Sequence, residues 1–396
     1  MIVIAGDITG AAEIAGIAHA TGHPVRLLCG CPAGGDSVAT GGITVIATDT
    51  RSMTEGEAAA ETRRIASALH TLPSSPSTPS LFKKTDSALR GQVVAELTAL
   101  MQATGYQRAV YLPANPSKER TIRNGIYYIK GVPIADTAFS YDPEFPAHTS
   151  SVKERFPDAG DHGIIMPDAE STDDIRRVIE RYDDGKTLFA GAADLFTAFL
   201  PKGQGIDRLT SSTSHTSLTS TTGPTGLSRP SVLILCGSTQ SRPLDLGIPV
   251  APMPREVYDG ERGADYWFQA LIATPHALGE TSHCDATRSK RDLSPLTSLI
   301  LTIPHTHRTG KEVAVHLRTV MAEMTRRLVS LHCPDQLIIE GGATAWATLN
   351  ALGWHEFQIE CQAAPGVVQM SATNGTLVTL KPGSYPWGGL FQSFSE

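Results

Sequence analysis

Short, unbroken apolar runs recur along the chain, each followed by a turn of glycine, aspartate, serine or threonine and then by a helical pattern. The first is Ile2-Val3-Ile4-Ala5, followed by Gly6-Asp7-Ile8-Thr9-Gly10, a helical stretch over 11–20 and Gly22 placed to stop it. Similar runs at 44–47, 109–112, 164–166 and 188–190 lead into Thr48-Asp49-Thr50-Arg51, Pro113, Pro167-Asp168 and Gly191. In the last third, 232–236 leads into Gly237-Ser238-Thr239, and 336–339 into Glu340-Gly341-Gly342-Ala343-Thr344. Continuous apolar strands alternating with helices predict an α/β fold with mainly parallel sheets, buried on both faces. In such sheets ligands bind beyond the carboxyl ends of the strands, where most of these polar turns fall.

At 396 residues the chain exceeds one ordinary core, so two domains are expected. The stretch 209–229, LTSSTSHTSLTSTTGPTGLSR, is too poor in apolar residues to order itself and reads as part of a linker. The expected division is an N-terminal domain over 1–201, a Ser/Thr-rich linker over 202–229 and a C-terminal domain over 230–396. A smaller stretch of the same kind, 72–80, reads as an exposed loop.

Composition narrows the partners. Hydrophobic residues make up 41% and charged residues 18%, as in globular proteins, and the net charge is −7 with no block of like charges. Neither nucleic acid nor an anionic membrane surface is favoured by that balance. Six scattered cysteines without a CxxC pair suit a reducing compartment. Met1 leads directly into the first strand and no apolar run reaches membrane-spanning length, so a cytoplasmic location is expected.

Residues 83–91 read KKTDSALRG, the densest chemistry in the chain. Val93, Val94, Leu97, Leu100 and Met101 follow at helical spacing, which predicts Asp86 or Ser87 at the N-cap. Lys83, Lys84 and Arg90 then form a basic cluster beside a helix N-terminus, a setting that favours an anion. The plainer alternative is a capped helix with solvated charges. Asp7 ends the first strand, with Glu13 about a turn into the helix; it either meets a hydroxyl or a metal, or simply caps. Asp49 and Arg51 read as a turn with an exposed ion pair, Arg51 being a secondary candidate for a carboxylate. Asn124-Gly125 and Gly131 predict a small β excursion around Tyr127-Tyr128-Ile129.

In the last third, the Gly237-Ser238 and Gly341-Gly342 turns let backbone N–H groups approach phosphate oxygens without a Cβ in the way. Lys381-Pro382-Gly383-Ser384 adds a lysine and a glycine turn able to close over a nucleotide. Neither GxGxxG, a Walker A loop nor a GxSxG elbow occurs. His283-Cys284-Asp285 and His305-Thr306-His307 lack metal-ligand spacing, so no metal site is assigned. Thr309-Gly310-Lys311 reads instead as the start of a helix through Val313, Leu317, Val320 and Met324.

Together these motifs resemble the four-carbon acid sugar kinase family. The resemblance rests on GDITGA (6–11), TDTRS (48–52), KKTDSALRG (83–91), ERTIRNGIYYIKGVPIADT (119–137) with Asp142-Pro143, and PDAE (167–170). It continues through CGST (236–239), GGAT (341–344), APG (364–366) and LKPGS (380–384). It implies two α/β domains, one binding the sugar acid and one the nucleotide, with an interdomain active-site cleft. The implied reaction is ATP- and Mg²⁺-dependent phosphorylation of a hydroxyl on erythronate, threonate or a 3-oxo-tetronate. By the same resemblance Asp7 and Asp86 are the catalytic candidates, and Arg51, Lys84, Ser87 and Arg90 face the sugar acid. Ser238, Gly341, Gly342, Ala343, Thr344 and Gly383 fall on the nucleotide side. The expected partners are these two small molecules, and a homodimer is compatible with the pattern.

Three positions depart from the family pattern. Gly6 stands where a second aspartate is common, Ala343 replaces the acid of GGDT, and 383–388 replaces a Gly-aromatic-Gly turn. They keep open a non-catalytic sugar-acid or nucleotide sensor on the same fold. A dehydrogenase fits the strand–turn–helix order but lacks the glycine fingerprint.

Overall fold

The computed structural model describes residues 1–30, 42–70, 80–142, 145–200, 230–238, 244–273, 298–304, 310–383, 387 and 390–391. The chain divides into two compact units, Met1–Asp207 and Arg208–Glu396. The expected linker lies outside the described residues, as do the two histidine motifs and the loop over 72–79.

The first unit opens with β1 (Ile2–Ala5), α1 (Ile8–Ala20), β2 (Val25–Cys29), β3 (Ile43–Ala47), α2 (Glu55–His70), β4 (Leu81–Lys84), α3 (Val93–Thr104) and β5 (Arg108–Leu112). A small antiparallel sheet follows from β6 (Arg120–Arg123), β7 (Ile126–Ile129) and β8 (Val132–Pro133). Its turns are Asn124-Gly125 and Lys130-Gly131, all four residues having positive φ, as the expected excursion requires. The unit closes with α4 (Val152–Arg155), β9 (Ile164–Ile165), α5 (Thr172–Tyr182), β10 (Thr187–Gly191) and α6 (Ala193–Phe199).

Strand order in the main sheet is β2-β3-β1-β4-β10-β5-β9, with every pairing parallel. The chain winds from β1 out to β2 and back to β3, then passes over β1 to reach β4. Strand β1 is therefore the point at which the winding reverses, and its carboxyl end is where such sheets hold ligands. All four residues of β1 are buried, matching its continuous apolar run. On one face Phe196 and Phe199 of α6 pack against Phe82 of β4 and Phe189 of β10, with ring centroids 4.9–5.9 Å apart. Each such burial is worth roughly 1.5–3 kcal/mol.

The second unit runs β11 (Val232–Cys236), β12 (Val250–Pro252), α7 (Arg255–Tyr258), α8 (Ala264–Ala273), β13 (Ser298–Thr302) and α9 (Lys311–Leu331). It continues with β14 (Gln336–Glu340), α10 (Gly342–Leu352), β15 (Glu356–Ala364), β16 (Val367–Ala372) and β17 (Leu377–Lys381). The order is β12-β13-β11-β14-β17-β16-β15; the first four pairings are parallel and the last two antiparallel. Val232, Ile234 and Cys236 of β11, Ile300 of β13, Ile338 of β14 and Phe391 form a buried cluster. Helix α9 begins at Lys311 after Gly310, as its pattern predicts. No helix among the described residues is long and apolar enough to cross a membrane.

Candidate functional site

Three strand ends of the first unit meet around Asp7. It caps α1, its Oδ1 accepting from the Gly10 N–H at 2.9 Å and the Thr9 hydroxyl at 2.6 Å. The other carboxylate oxygen meets Arg51 Nη1 at 2.9 Å, and the same nitrogen lies 3.6 Å from Asp86. Arg90 grips Asp86 in a fork, Nε at 3.1 Å and Nη2 at 2.8 Å, while its Nη1 reaches Asp142 at 3.3 Å. An alternating chain Asp7–Arg51–Asp86–Arg90–Asp142 results, each member partly screened from water. Beside it Glu13 of α1 binds Lys118 and lies 3.7 Å from Lys84. Arg120 Nη1 donates to the Ser87 hydroxyl at 2.6 Å, and Tyr127 donates its hydroxyl to the Ser87 carbonyl. The Arg90 and Arg120 guanidinium carbons stand 5.9 and 5.6 Å from the Phe139 ring centre.

Burial alone would raise both aspartates, but the neighbours outweigh it. Arg51 and Lys84, with the Thr9 and Gly10 hydrogen bonds, hold the Asp7 carboxyl below the usual carboxylate range. For Asp86 the Arg90 charge and its hydrogen bonds, then Arg51 and the Ala88 N–H, hold it well below. Both are ionised at neutral pH, so they act as acceptors. Gly10 keeps the space beside Asp7 open: a Cβ there would sit 3.2 Å from Asp7 Oδ2 and 3.4 Å from Lys84 Nζ.

In the second unit the corresponding strand ends carry glycines. A Cβ on Gly237 would come 2.2 Å from Thr344 Oγ1, and one on Gly383 2.5 Å from Ser238 Oγ. The turns after β11 and β17 thus interlock with Thr344 and Ser238 at distances only glycine permits. Gly341, at φ 96°, caps α10, and Gly342, Ala343 and Thr344 form the first turn, leaving its N–H groups for an anion. Beneath them Lys381 binds Glu340, both 1% exposed, and also donates to the carbonyls of Pro382 at 3.1 Å and Gly383 at 3.4 Å. Its ammonium lies 4.6 Å from the Trp387 ring centre. Burial, then the Glu340 charge, push the nearby Cys236 thiol up to about 12, so it is inert.

Asp7, Arg51, Asp86, Ser87 and Arg90 are brought into one neighbourhood, as are Ser238, Gly341, Gly342, Ala343, Thr344 and Gly383 in theirs. Four expectations need correction. Asp86 and Ser87 do not cap α3, which starts at Val93 after Gln92; Leu89 and Gly91, both at positive φ, carry a loop in between. Lys83 is no part of an anion site: fully buried, it meets Glu96 at 2.7 Å, a carboxylate that also accepts from Thr50. Arg51 makes no isolated exposed pair, since it lies between Asp7 and Asp86, both largely screened from water. Lys381 does not stand as a free cation above its turn, since Glu340 and the turn carbonyls engage it. The sequence assigned no role to Arg120, Asp142, Lys118 or Phe139; Arg120 and Asp142 entered only as parts of the motifs that carry the family resemblance, and Lys118 and Phe139 carried no signal.

A family model described as a sugar-binding N-terminal domain matches residues 1–160, and one described as a nucleotide-binding C-terminal domain matches 256–385. A D-threonate kinase of Salmonella typhimurium is 29% identical over 212 residues, 52% of this chain and 44% of that protein. A 3-oxo-tetronate kinase of Brucella melitensis is 33% identical over 153 residues, covering 38% of this chain and 34% of that one. A D-threonate kinase of Cupriavidus necator is 35% identical over 137 residues, covering 34% and 31%. The aligned regions thus span less than half the length of these relatives. Among solved structures, Haemophilus influenzae protein HI1011 superposes with a TM-score of 0.63 at 19% identity, over 100% of this chain and 99% of that one. A Salmonella typhimurium LT2 structure gives 0.67 at 16%, over 100% and 98%. These two share the fold.

Proposed function

The chain belongs to the four-carbon acid sugar kinase family, and from that premise we propose that it transfers the terminal phosphoryl group of ATP to a hydroxyl of a four-carbon sugar acid. One observation carries the reading: each unit gathers its polar chemistry at the carboxyl ends of its parallel strands, and the two chemistries differ as the two substrates do. Charged side chains converge in the sugar-binding unit. Glycine turns and a helix N-terminus converge in the nucleotide-binding unit.

Phosphoryl transfer needs positioning and charge neutralisation more than a strong base. Asp7 is the better partner for the attacking hydroxyl, because among the described residues its Oδ2 has one close partner, Arg51. Both Asp86 oxygens are taken by Arg90 and the Ala88 N–H, so Asp86 fixes the two arginines in place. The N–H groups of 342–344 would donate to phosphate oxygens, and Ser238 would add a hydroxyl beside them.

Mg²⁺ supplies charge neutralisation on the triphosphate when bound. The donor set here fits a metal carried mainly by phosphate oxygens. Ser238 and Thr344 offer hydroxyls, Glu340 is committed to Lys381, and no cluster of three His, Cys, Asp or Glu ligands occurs among the described residues.

A second reading has one observation behind it. Ala343 is exposed in the first turn of α10 and leaves that turn without an acid, which suits a sensor that binds without turnover. ADP release with Mg-ATP and a panel of erythronates, threonates and 3-oxo-tetronates tests the kinase. Turnover on one member is the expected result. A ligand-induced rise in melting temperature without ADP, converted to turnover by Gly6→Asp and Ala343→Asp, would favour the sensor.

A further inference from the structure

A sugar acid brings a carboxylate that must meet a cation, and the cations around Asp7 differ in how far they are already neutralised. Arg90 is the obvious candidate by sequence, yet its fork is spent on Asp86 and its remaining nitrogen on Asp142. Arg51 lies between Asp7 and Asp86. Lys84 and Lys118 share Glu13. Arg120 is the exception: among the described residues it has no carboxylate within ion-pair distance, and its Nη1 instead donates to the Ser87 hydroxyl at 2.6 Å. Phe139 lies against its guanidinium plane at 5.6 Å, which restrains the group without neutralising it.

We infer that Arg120, with the Ser87 hydroxyl, is the anchor for the substrate carboxylate and the residue that makes this site select an acid over a neutral polyol. The inference rests on the proposed kinase reading and names a specificity residue for it. An arginine fork can donate to both carboxylate oxygens, while Ser87, whose Oγ already accepts from Arg120, keeps its own proton to donate. Position favours the pair too. Ser87 follows Asp86 directly in the loop after β4, so a carboxylate held there would place a short sugar chain along the Asp86–Arg51–Asp7 line. The backbone is fixed on both sides: Tyr127 pins the Ser87 carbonyl, and Asn115 and Arg120 exchange backbone hydrogen bonds at the start of β6. Arg90, by contrast, is an internal tie whose loss disturbs the loop whatever the ligand.

The experiment compares Arg120→Gln, Arg120→Lys and Arg90→Gln with the wild type by calorimetry. Each is titrated with erythronates, threonates and 3-oxo-tetronates, and with the uncharged tetritols, and melting temperature is recorded beside each titration. For Arg120→Gln the affinity for the preferred acid should fall roughly 10- to 100-fold, the range for losing a charge-assisted hydrogen-bonded pair, while tetritol affinity stays within about twofold. Arg120→Lys should recover part of the loss, because charge returns without the fork. Arg90→Gln should weaken acid and tetritol alike. Equal acid affinity in Arg120→Gln and wild type, or a parallel loss for acid and tetritol, would overturn the assignment and leave the kinase reading standing. A wild type that binds none of these acids would overturn that reading and the anchor with it.

Discussion

Among the described residues, each unit buries a lysine–glutamate pair near the ends of its central strands: Lys83 with Glu96 in the first, Lys381 with Glu340 in the second. What surrounds the pair differs. In the first unit a half-buried line of five alternating charges lies over the strand ends, with Glu13, two lysines and Arg120 beside it. In the second the surroundings are backbone N–H groups, two hydroxyls and glycines that approach within distances no Cβ could share. The difference is the one that the two proposed ligands would require. A small acid with several hydroxyls must be read by directional side chains, whereas a polyphosphate can be held by the uniform dipoles of glycine turns and a helix N-terminus.

The largest expected effect tests what the units share. Glu340→Ala and Glu96→Ala each strand a buried ammonium and should cost roughly 3–5 kcal/mol in denaturant unfolding. A loss confined to one of them would break the parallel. Next, Asp86→Asn should cost about 1.5–3 kcal/mol at neutral pH through its arginine partners. Its pH dependence has a definite sign. Folding lowers the Asp86 pKa, so the wild-type advantage is complete above the ordinary carboxylate value near 3.9 and is lost as pH falls below it. Melting curves of both proteins between pH 7 and acid should therefore converge on acidification.

Gly237→Ala sharpens the other half of the comparison. The new methyl meets Thr344, and relieving that contact should cost about 1–3 kcal/mol and raise the KM for ATP with little change for the sugar acid. Combining it with Thr344→Ala should cost less than the sum of the two single changes. The smallest effect belongs to Asp173→Ala, which removes an exposed helical pair with Arg176. It should change stability by less than about 1 kcal/mol and both KM values not at all.

Much of the fold was legible because buried parallel strands are written as unbroken apolar runs. Ile2–Ala5 and Val232–Cys236 match their predicted limits residue for residue. What the sequence hid depends on pairing between distant segments. Lys83 and Lys84 are adjacent on a strand and so point to opposite faces, one reaching Glu96 on α3 and the other lying near Glu13 on α1. Glu340 and Lys381 are 41 residues apart and meet only because β14 and β17 are neighbours in register. Helical spacing after Val93 was correct, but it could not show that Leu89 and Gly91 delay the helix start. Arg120 reaches Ser87 across 33 residues from a segment whose local pattern spells only a hairpin.

The central claim is that the two unlike sites serve one transfer, and ³¹P NMR of the full chain with Mg-ATP and each tetronate tests it most directly. The account predicts a phosphomonoester resonance on one sugar acid, growing in step with ADP. ADP accompanied only by inorganic phosphate, or no consumption of ATP with any member of the panel, would contradict it.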